Sequence, residues 1–259
     1  MPPVNRFQSP ENRRVAVVGG AGGIGRALVS ALLDQRARVA ILDLPASLAR
    51  HEPPAGTLVR ALDATDESQV RAAFAAVQDA WGGLDALVNL AGFAKEKAPV
   101  GATPRATWDE VMDGNLTAAY LCSQAALPLL RAGDAPAIVN MSSGLAVKPT
   151  PGYGPYSVAK AGVLALTRLL AAENAPAIRV NAVAPAAVDT AFLRGGTGRG
   201  GDEANGPARL DLDAYLKTVP LARLAQPEDV VGPILFLLSP AAAYVTGQTL
   251  HVNGGLWMN

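Results

Sequence analysis

"RRVAVVGGAGGIGRALVSALLD", residues 13–34, changes period in its middle. Val15, Ala16, Val17 and Val18 form an apolar run without alternation, the pattern of a strand buried on both faces. Ile24, Leu28 and Leu32 then fall on one face of a helix. Between the two, Gly19, Gly23 and Gly25 are spaced G-x-x-x-G-x-G, one residue longer than the standard dinucleotide fingerprint. Glycines in such a turn let the backbone come close to a pyrophosphate. The free N–H groups and dipole of the helix N-terminus then attract it.

The same alternation continues outward. "ARVAILDL", "TLVRALDAT", "LDALVNLAG", "PAIVNMSS", "IRVNAVAP" and "QTLHVNGG" read as further strands. Helical segments separate most of them: one from Asp66, a plausible N-cap, to Trp81, one from about 108 to 130, one from about 155 to 172, and one around 227–239. Strand and helix in turn predict an α/β fold: a Rossmann-type, doubly wound parallel sheet with helices on both faces. Residues 13–259 form one such domain, preceded by a flexible arm over 1–12. The Gly-rich, charged stretch "RGGTGRGGDEANGPAR" (194–209) breaks the rhythm, and a lid over 191–215 is expected there.

The chain has 259 residues, half of them hydrophobic, with 22 basic residues against 22 acidic. A formal net charge of zero gives no reason to expect nucleic acid or an anionic membrane as partner. No apolar run approaches the roughly 20 residues of a membrane span. One of the longest, "VVGPILFLL" (230–238), is interrupted by Gly and Pro. The N-terminus lacks a secretory signal, so a soluble cytoplasmic protein is expected. Cys122 is the only cysteine and reads as a buried, inert thiol, and no metal is implied.

Open α/β sheets bind ligands at the carboxyl ends of their strands. Asp43 ends the second strand eighteen residues after Gly25, placed to accept hydrogen bonds from an adenosine ribose. Its carboxylate would repel a 2′-phosphate, Leu44 follows it, and no basic residue precedes Gly23 in the loop; NAD is therefore expected. Asp63, Asn89, Ala91 and Gly92 end the next strands along that edge.

"YSVAK" (156–160) places Tyr156 four residues before Lys160, on one helix face. A free tyrosine has a pKa of about 10, and a neighbouring ammonium stabilises the phenolate. Ser143, thirteen residues earlier at a strand end, would hold a substrate oxygen from the other side. Alone, such a Tyr–Lys pair recurs on solvated helices. Joined to a glycine cradle and a ribose-binding acid, it suits alcohol oxidation with hydride leaving for a nicotinamide.

With these motifs the sequence resembles the short-chain dehydrogenase/reductase family in its compact form, from Arg13 to Gly255. Val18–Gly25 matches the family's glycine motif, and Asn89–Gly92 its N-N-A-G motif. Val18, Leu90 and Ala186 depart from the usual threonine, second asparagine and glycine, none of them a group that does chemistry. The resemblance implies a tetrad of Asn115, Ser143, Tyr156 and Lys160. Tyr156 would be the acid/base, Lys160 would bind the nicotinamide ribose and lower the tyrosine pKa, and Asn115 would hold a water in a proton relay. It implies cofactor contacts from Ile24, Leu44, Ala64, Pro185, Val188 and Thr190 besides the residues above. A homotetramer or homodimer built through the two long helices is implied as well.

A small-molecule secondary alcohol or ketone is expected between Ser143, Tyr156 and the lid. Candidate walls are Phe93, Leu145, Val147, Tyr153, Ala187, Phe192 and Leu193. Lys148, Arg194, Arg199 and Arg209 are available to clamp a substrate carboxylate or sulfonate, or are solvated lid charges. Two other functions compete: an NADPH-dependent ketoreductase of lipid or polyketide type, and a non-catalytic dinucleotide-binding regulator.

Overall fold

Val15 and Val17 pack to one side of their strand and Ala16 and Val18 to the other, and both sides are buried. The computed structural model describes residues 10–199 and 207–258; most of the expected arm and residues 200–206 of the expected lid lie outside the described residues. Seven strands form one parallel sheet: β1 (Arg14–Val18), β2 (Arg38–Asp43), β3 (Leu58–Ala61), β4 (Ala86–Asn89), β5 (Ala137–Met141), β6 (Arg179–Pro185) and β7 (Thr249–Val252). Their order is β3-β2-β1-β4-β5-β6-β7. The chain winds outward one way from β1 and the other way from β4, so the crevice lies where β1 and β4 pair.

Helices cover both faces. α1 (Gly23–Asp34) and α8 (Pro227–Leu238) lie on the side of Val15 and Val17, where Leu28, Leu32, Ile234 and Leu237 are fully buried. α3 (Glu67–Trp81), α5 (Ala118–Arg131) and α6 (Gly154–Asn174) cover the other side with Phe74, Val77, Cys122 and Leu130. Truncating such a leucine to alanine costs about 2–5 kcal/mol. Burial pushes the Cys122 thiol up to about 12, which keeps it unreactive. Asp66 caps α3 as expected, accepting from the Ser68 and Gln69 amides. Two short helices were not expected, α2 (Pro45–Arg50) and α7 (Leu212–Leu216). No helix among the described residues is long and apolar enough to cross a membrane.

The helix expected over 108–130 is broken. α4 (Arg105–Met112) passes into a π-helical turn at Asp113–Thr117 before α5 begins. The Asn115 amide causes the break: its Nδ2 donates to the carbonyls of Val111, four residues back, and Phe93, both at 2.8 Å. Gly114 makes room, because a Cβ there would run into the Phe93 ring. Such π turns concentrate at functional sites, and this one sits behind the crevice.

Candidate active site

The carboxyl edge of the sheet opens into one cavity of about 970 Å³. The glycine turn forms one wall. Gly19 has φ +82°, and a Cβ there would lie 2.9 Å from the Ala91 amide nitrogen; a Cβ on Gly25 would collide with the Gly19 carbonyl. The α1 N-terminus has no capping side chain and no acid in its first turn. The amides of Gly23, Ile24 and Gly25 therefore lack partners within the helix, and they line the cavity. A close backbone approach and unspent donors are what a pyrophosphate needs.

Asp43 lines the same end of the cavity. Its Oδ2 accepts from the Ala21 amide at 2.8 Å and its Oδ1 from the Leu44 amide at 2.7 Å, so it also shapes the glycine turn. Burial raises its pKa, and these amides and Ser47 pull it back. Arg26, just after the glycine turn, lines this end too, and so do Arg50 and His51, which the sequence pattern does not bring here. Burial lowers the His51 pKa, and Arg26 and Arg50 lower it further.

Leu44, Asp63, Ala64, Ala91, Gly92, Pro185, Val188 and Thr190 also border the cavity. Asn89 does not. Its Nδ2 donates to Asn140 Oδ1 at 2.8 Å and to Ser123 Oγ at 3.1 Å, under the sheet. Asn140 in turn reaches Thr167 at 3.0 Å. Side chains alternate across a strand, so Leu90, not Asn89, faces the ligand side.

Ser143, Tyr156 and Lys160 meet on the opposite wall. β5 ends just before the adjacent serines, and the backbone aims them apart. Both border the cavity, but the buried Ser142 donates to the Lys160 carbonyl at 2.8 Å, whereas the Ser143 side chain is hydrogen-bonded to Tyr156. Pro155 lies in the first turn of α6, which presents Tyr156 and Lys160 one turn apart. The Lys160 Nζ lies 5.7 Å from the centre of the Tyr156 ring and donates to the Met141 carbonyl at 3.0 Å.

Tyr156 is 8% exposed and Lys160 is 2% exposed. Burial pushes the phenol up to about 12, the Ser143 hydroxyl pulls it down, and Tyr153 pushes it up again. Burial brings the Lys160 ammonium down to about 8. Desolvation is the largest influence on the phenol, and Lys160 is not among the groups that shift it.

Asn115 lies one layer behind. It is 1% exposed, and its Oδ1 is buried without a protein partner. A Cβ on Gly92 would collide with that Oδ1 and would lie 2.9 Å from Lys160 Nζ. Asn115, Gly92 and Lys160 therefore share one corner.

Phe93, Leu145, Tyr153, Ala187, Phe192 and Leu193, the expected substrate walls, line the cavity, with the Phe192 ring 5.6 Å from that of Tyr156. Val147 is turned out, 43% exposed, because its short 3-10 turn directs Leu145 inward. Trp257 joins the lining and packs against Gly144. Nothing in the "LWMN" terminus marks it as a wall. Arg194 is paired with Asp189 at 2.7 Å and Arg199 with Asp63 at 2.9 Å. The Arg209 guanidinium is folded against Gly195.

Residues 19–257 match the family described as enoyl-(acyl carrier protein) reductase. The chain is 41% identical to cis-4-hydroxycyclohexanecarboxylate dehydrogenase of Sinomonas cyclohexanicum, over 93% of this chain and 96% of that one. It is 34% identical to 2-(S)-hydroxypropyl-CoM dehydrogenase 3 of Xanthobacter autotrophicus, covering 95% and 97%. With the 3-oxoacyl-[acyl-carrier-protein] reductase FabG of Vibrio cholerae it shares 32%, covering 96% and 98%. The crystal structure of 3-ketoacyl-(acyl-carrier-protein) reductase from Brucella melitensis complexed with NADH superposes with a TM-score of 0.85 at 28% identity, over 96% of this chain and 99% of that one.

Proposed function

The chain belongs to the short-chain dehydrogenase/reductase family, oxidoreductases that use a nicotinamide dinucleotide on alcohol or ketone substrates, and from that premise we propose an NAD-dependent dehydrogenase of secondary alcohols with Tyr156 as general acid/base. The observation that carries this reading is one cavity with an uncapped glycine turn and Asp43 at one end and Ser143, Tyr156 and Lys160 at the other.

The glycine-turn amides would hold the pyrophosphate, Asp43 the adenosine ribose, and Asp63 and Ala64 the adenosine end. Pro185, Val188 and Thr190 would meet the nicotinamide end, and Lys160 its ribose. The dinucleotide supplies hydride acceptance in oxidation and hydride donation in reduction. Tyr156 Oη takes the substrate hydroxyl proton or returns it to a carbonyl oxygen. Ser143 holds that oxygen by a hydrogen bond, which fixes the proton's path. The Lys160 ammonium favours the phenolate, and the unpartnered Asn115 Oδ1 beside it offers the next acceptor along a proton path. Phe93, Leu145 and Phe192 would offer apolar surface to the body of the substrate.

A second reading, an NADPH-dependent ketoreductase, is favoured by Arg26 and Arg50 at the adenosine end, where a 2′-phosphate would lie. Initial rates with NAD and NADP over a panel of secondary alcohols separate the two. Turnover at least tenfold faster with NAD supports the Asp43 assignment, and turnover with NADP alone overturns it. We further propose a cytoplasmic homotetramer or homodimer, supported by the exposed apolar side chains of Tyr120 on α5 and Val158 and Leu169 on α6. Sedimentation of the purified protein as a monomer at micromolar concentration would contradict that assembly.

A further inference from the structure

Charges at the mouth of the cavity narrow the substrate class. Arg194 and Arg199 are spent on Asp189 and Asp63. Two lysines that border the substrate end, Lys97 and Lys148, make no ion pair among the described residues. The backbone brings them to the same rim. Residues 97–98 run beside 152–153, where the Ala98 amide donates to the Gly152 carbonyl at 3.1 Å and Ala98 bridges to Tyr153. Gly152 has φ +92°, and a Cβ there would lie 3.0 Å from Lys97 Cβ, so glycine permits this approach. The Lys97 Nζ then rests 5.1 Å from the centre of the Tyr153 ring, one helical turn from Tyr156. Lys148 follows the short turn after Ser143, its amide donating to the Gly144 carbonyl at 2.9 Å.

Two exposed ammonium groups without an ion pair thus stand at the rim of the cavity that holds Tyr156, with apolar walls between. We propose that Lys97 and Lys148 form an anion-binding rim, and that the substrate is a secondary alcohol, or its ketone, carrying a carboxylate at the far end of an apolar body. This rests on the dehydrogenase reading above. In oxidation the carbinol carbon gives its hydride to the oxidised dinucleotide and its oxygen gives its proton to Tyr156. The carboxylate is unchanged and serves binding alone. An exposed lysine contributes modestly, so each one should change KM by roughly two- to tenfold.

The test compares 4-hydroxycyclohexanecarboxylate with its carboxamide, using NAD and the purified full chain. Wild type should favour the carboxylate by roughly tenfold or more in kcat/KM, chiefly through KM. That ratio should fall toward one in the Lys97→Ala, Lys148→Ala double variant and in wild type at high salt. Equal use of acid and amide by wild type, or a preference that survives the double substitution, overturns the inference. The comparison within wild type stands even if the variant fails to fold. Oxidation of neutral alcohols without any of the acid would defeat the carboxylate rim and leave the dehydrogenase reading intact. Wild type inert toward every alcohol and ketone would overturn both.

Discussion

Arg199 reaches from the segment after Phe192 to Asp63 beyond β3, with Nη1 2.9 Å from Oδ2 and Nη2 3.2 Å from Oδ1. Alongside it, Ser47 donates to the Gly198 carbonyl at 3.2 Å. Two contacts therefore tie this segment across the Asp43 end of the cavity. Burial works against the Asp63 charge, but Arg199 and Thr65 outweigh it and hold its pKa below the usual value.

If Asp63 borders the bound dinucleotide, this tie must loosen for entry and exit. Arg199→Ala should speed both NADH association and dissociation, by roughly two- to fivefold for a half-exposed ion pair. Stopped-flow NADH fluorescence measures both rates. High salt should accelerate wild type and leave the variant alone; identical rates in the two proteins would show that the tie does not gate the site.

Gly92→Ala tests the corner shared by Asn115 and Lys160. The added methyl must displace the Asn115 amide or the lysine ammonium. Activity should drop on the order of a hundredfold, as small misplacements of catalytic groups do. Near-native activity with an unchanged circular dichroism spectrum would mean that the corner has no part in the reaction.

A phenol held near 12 is almost wholly protonated at neutral pH, so it has a proton to give and little capacity to accept one. Alcohol oxidation should therefore rise with pH as the phenolate fraction grows, and ketone reduction should not. Lys160 loses its proton near 8, after which it no longer supports the phenolate, so the rise should flatten above that pH. Profiles of kcat/KM in both directions test this, and oxidation that is fastest in acid would exclude Tyr156 as the base.

Much of the architecture was readable from local pattern. Val15–Val18, the glycines and the Ile24, Leu28 and Leu32 stripe each depend on neighbours in sequence. So does the Asp66 cap. The misses depend on distant partners. The α4–α5 break follows from Asn115 bonding Phe93, and the rim at Lys97 from residues 152–153 lying alongside. Asn89 turns under the sheet because Asn140 and Ser123 await it there. No periodicity announces that Arg199 will find Asp63. Among the site residues, Ser142 and Ser143 both border the cavity, and only the tertiary structure shows that the Ser142 hydroxyl is spent on the Lys160 carbonyl.

Asp66 supplies a stability prediction. Its pKa is lowered to about 2 by the Ser68 hydroxyl first, then by Gln69. A folded-state value below the usual carboxylate range means that its stabilisation is present above about pH 4 and lost as pH falls toward 2. Asp66→Ala should lower the Tm at pH 7, and the gap from wild type should close in acid. Melting curves across pH check it; a gap independent of pH would assign the effect to something other than this carboxylate.

The most direct measurement is Tyr156→Phe assayed beside wild type for alcohol-dependent NAD reduction, with NADH binding followed by fluorescence. The phenyl ring keeps the packing against Phe192 and removes only the proton-carrying oxygen. The expected result is a kcat lower by roughly a hundredfold or more, with the NADH Kd within about threefold of wild type. A variant that turns over within a few-fold of wild type would contradict Tyr156 as the acid/base.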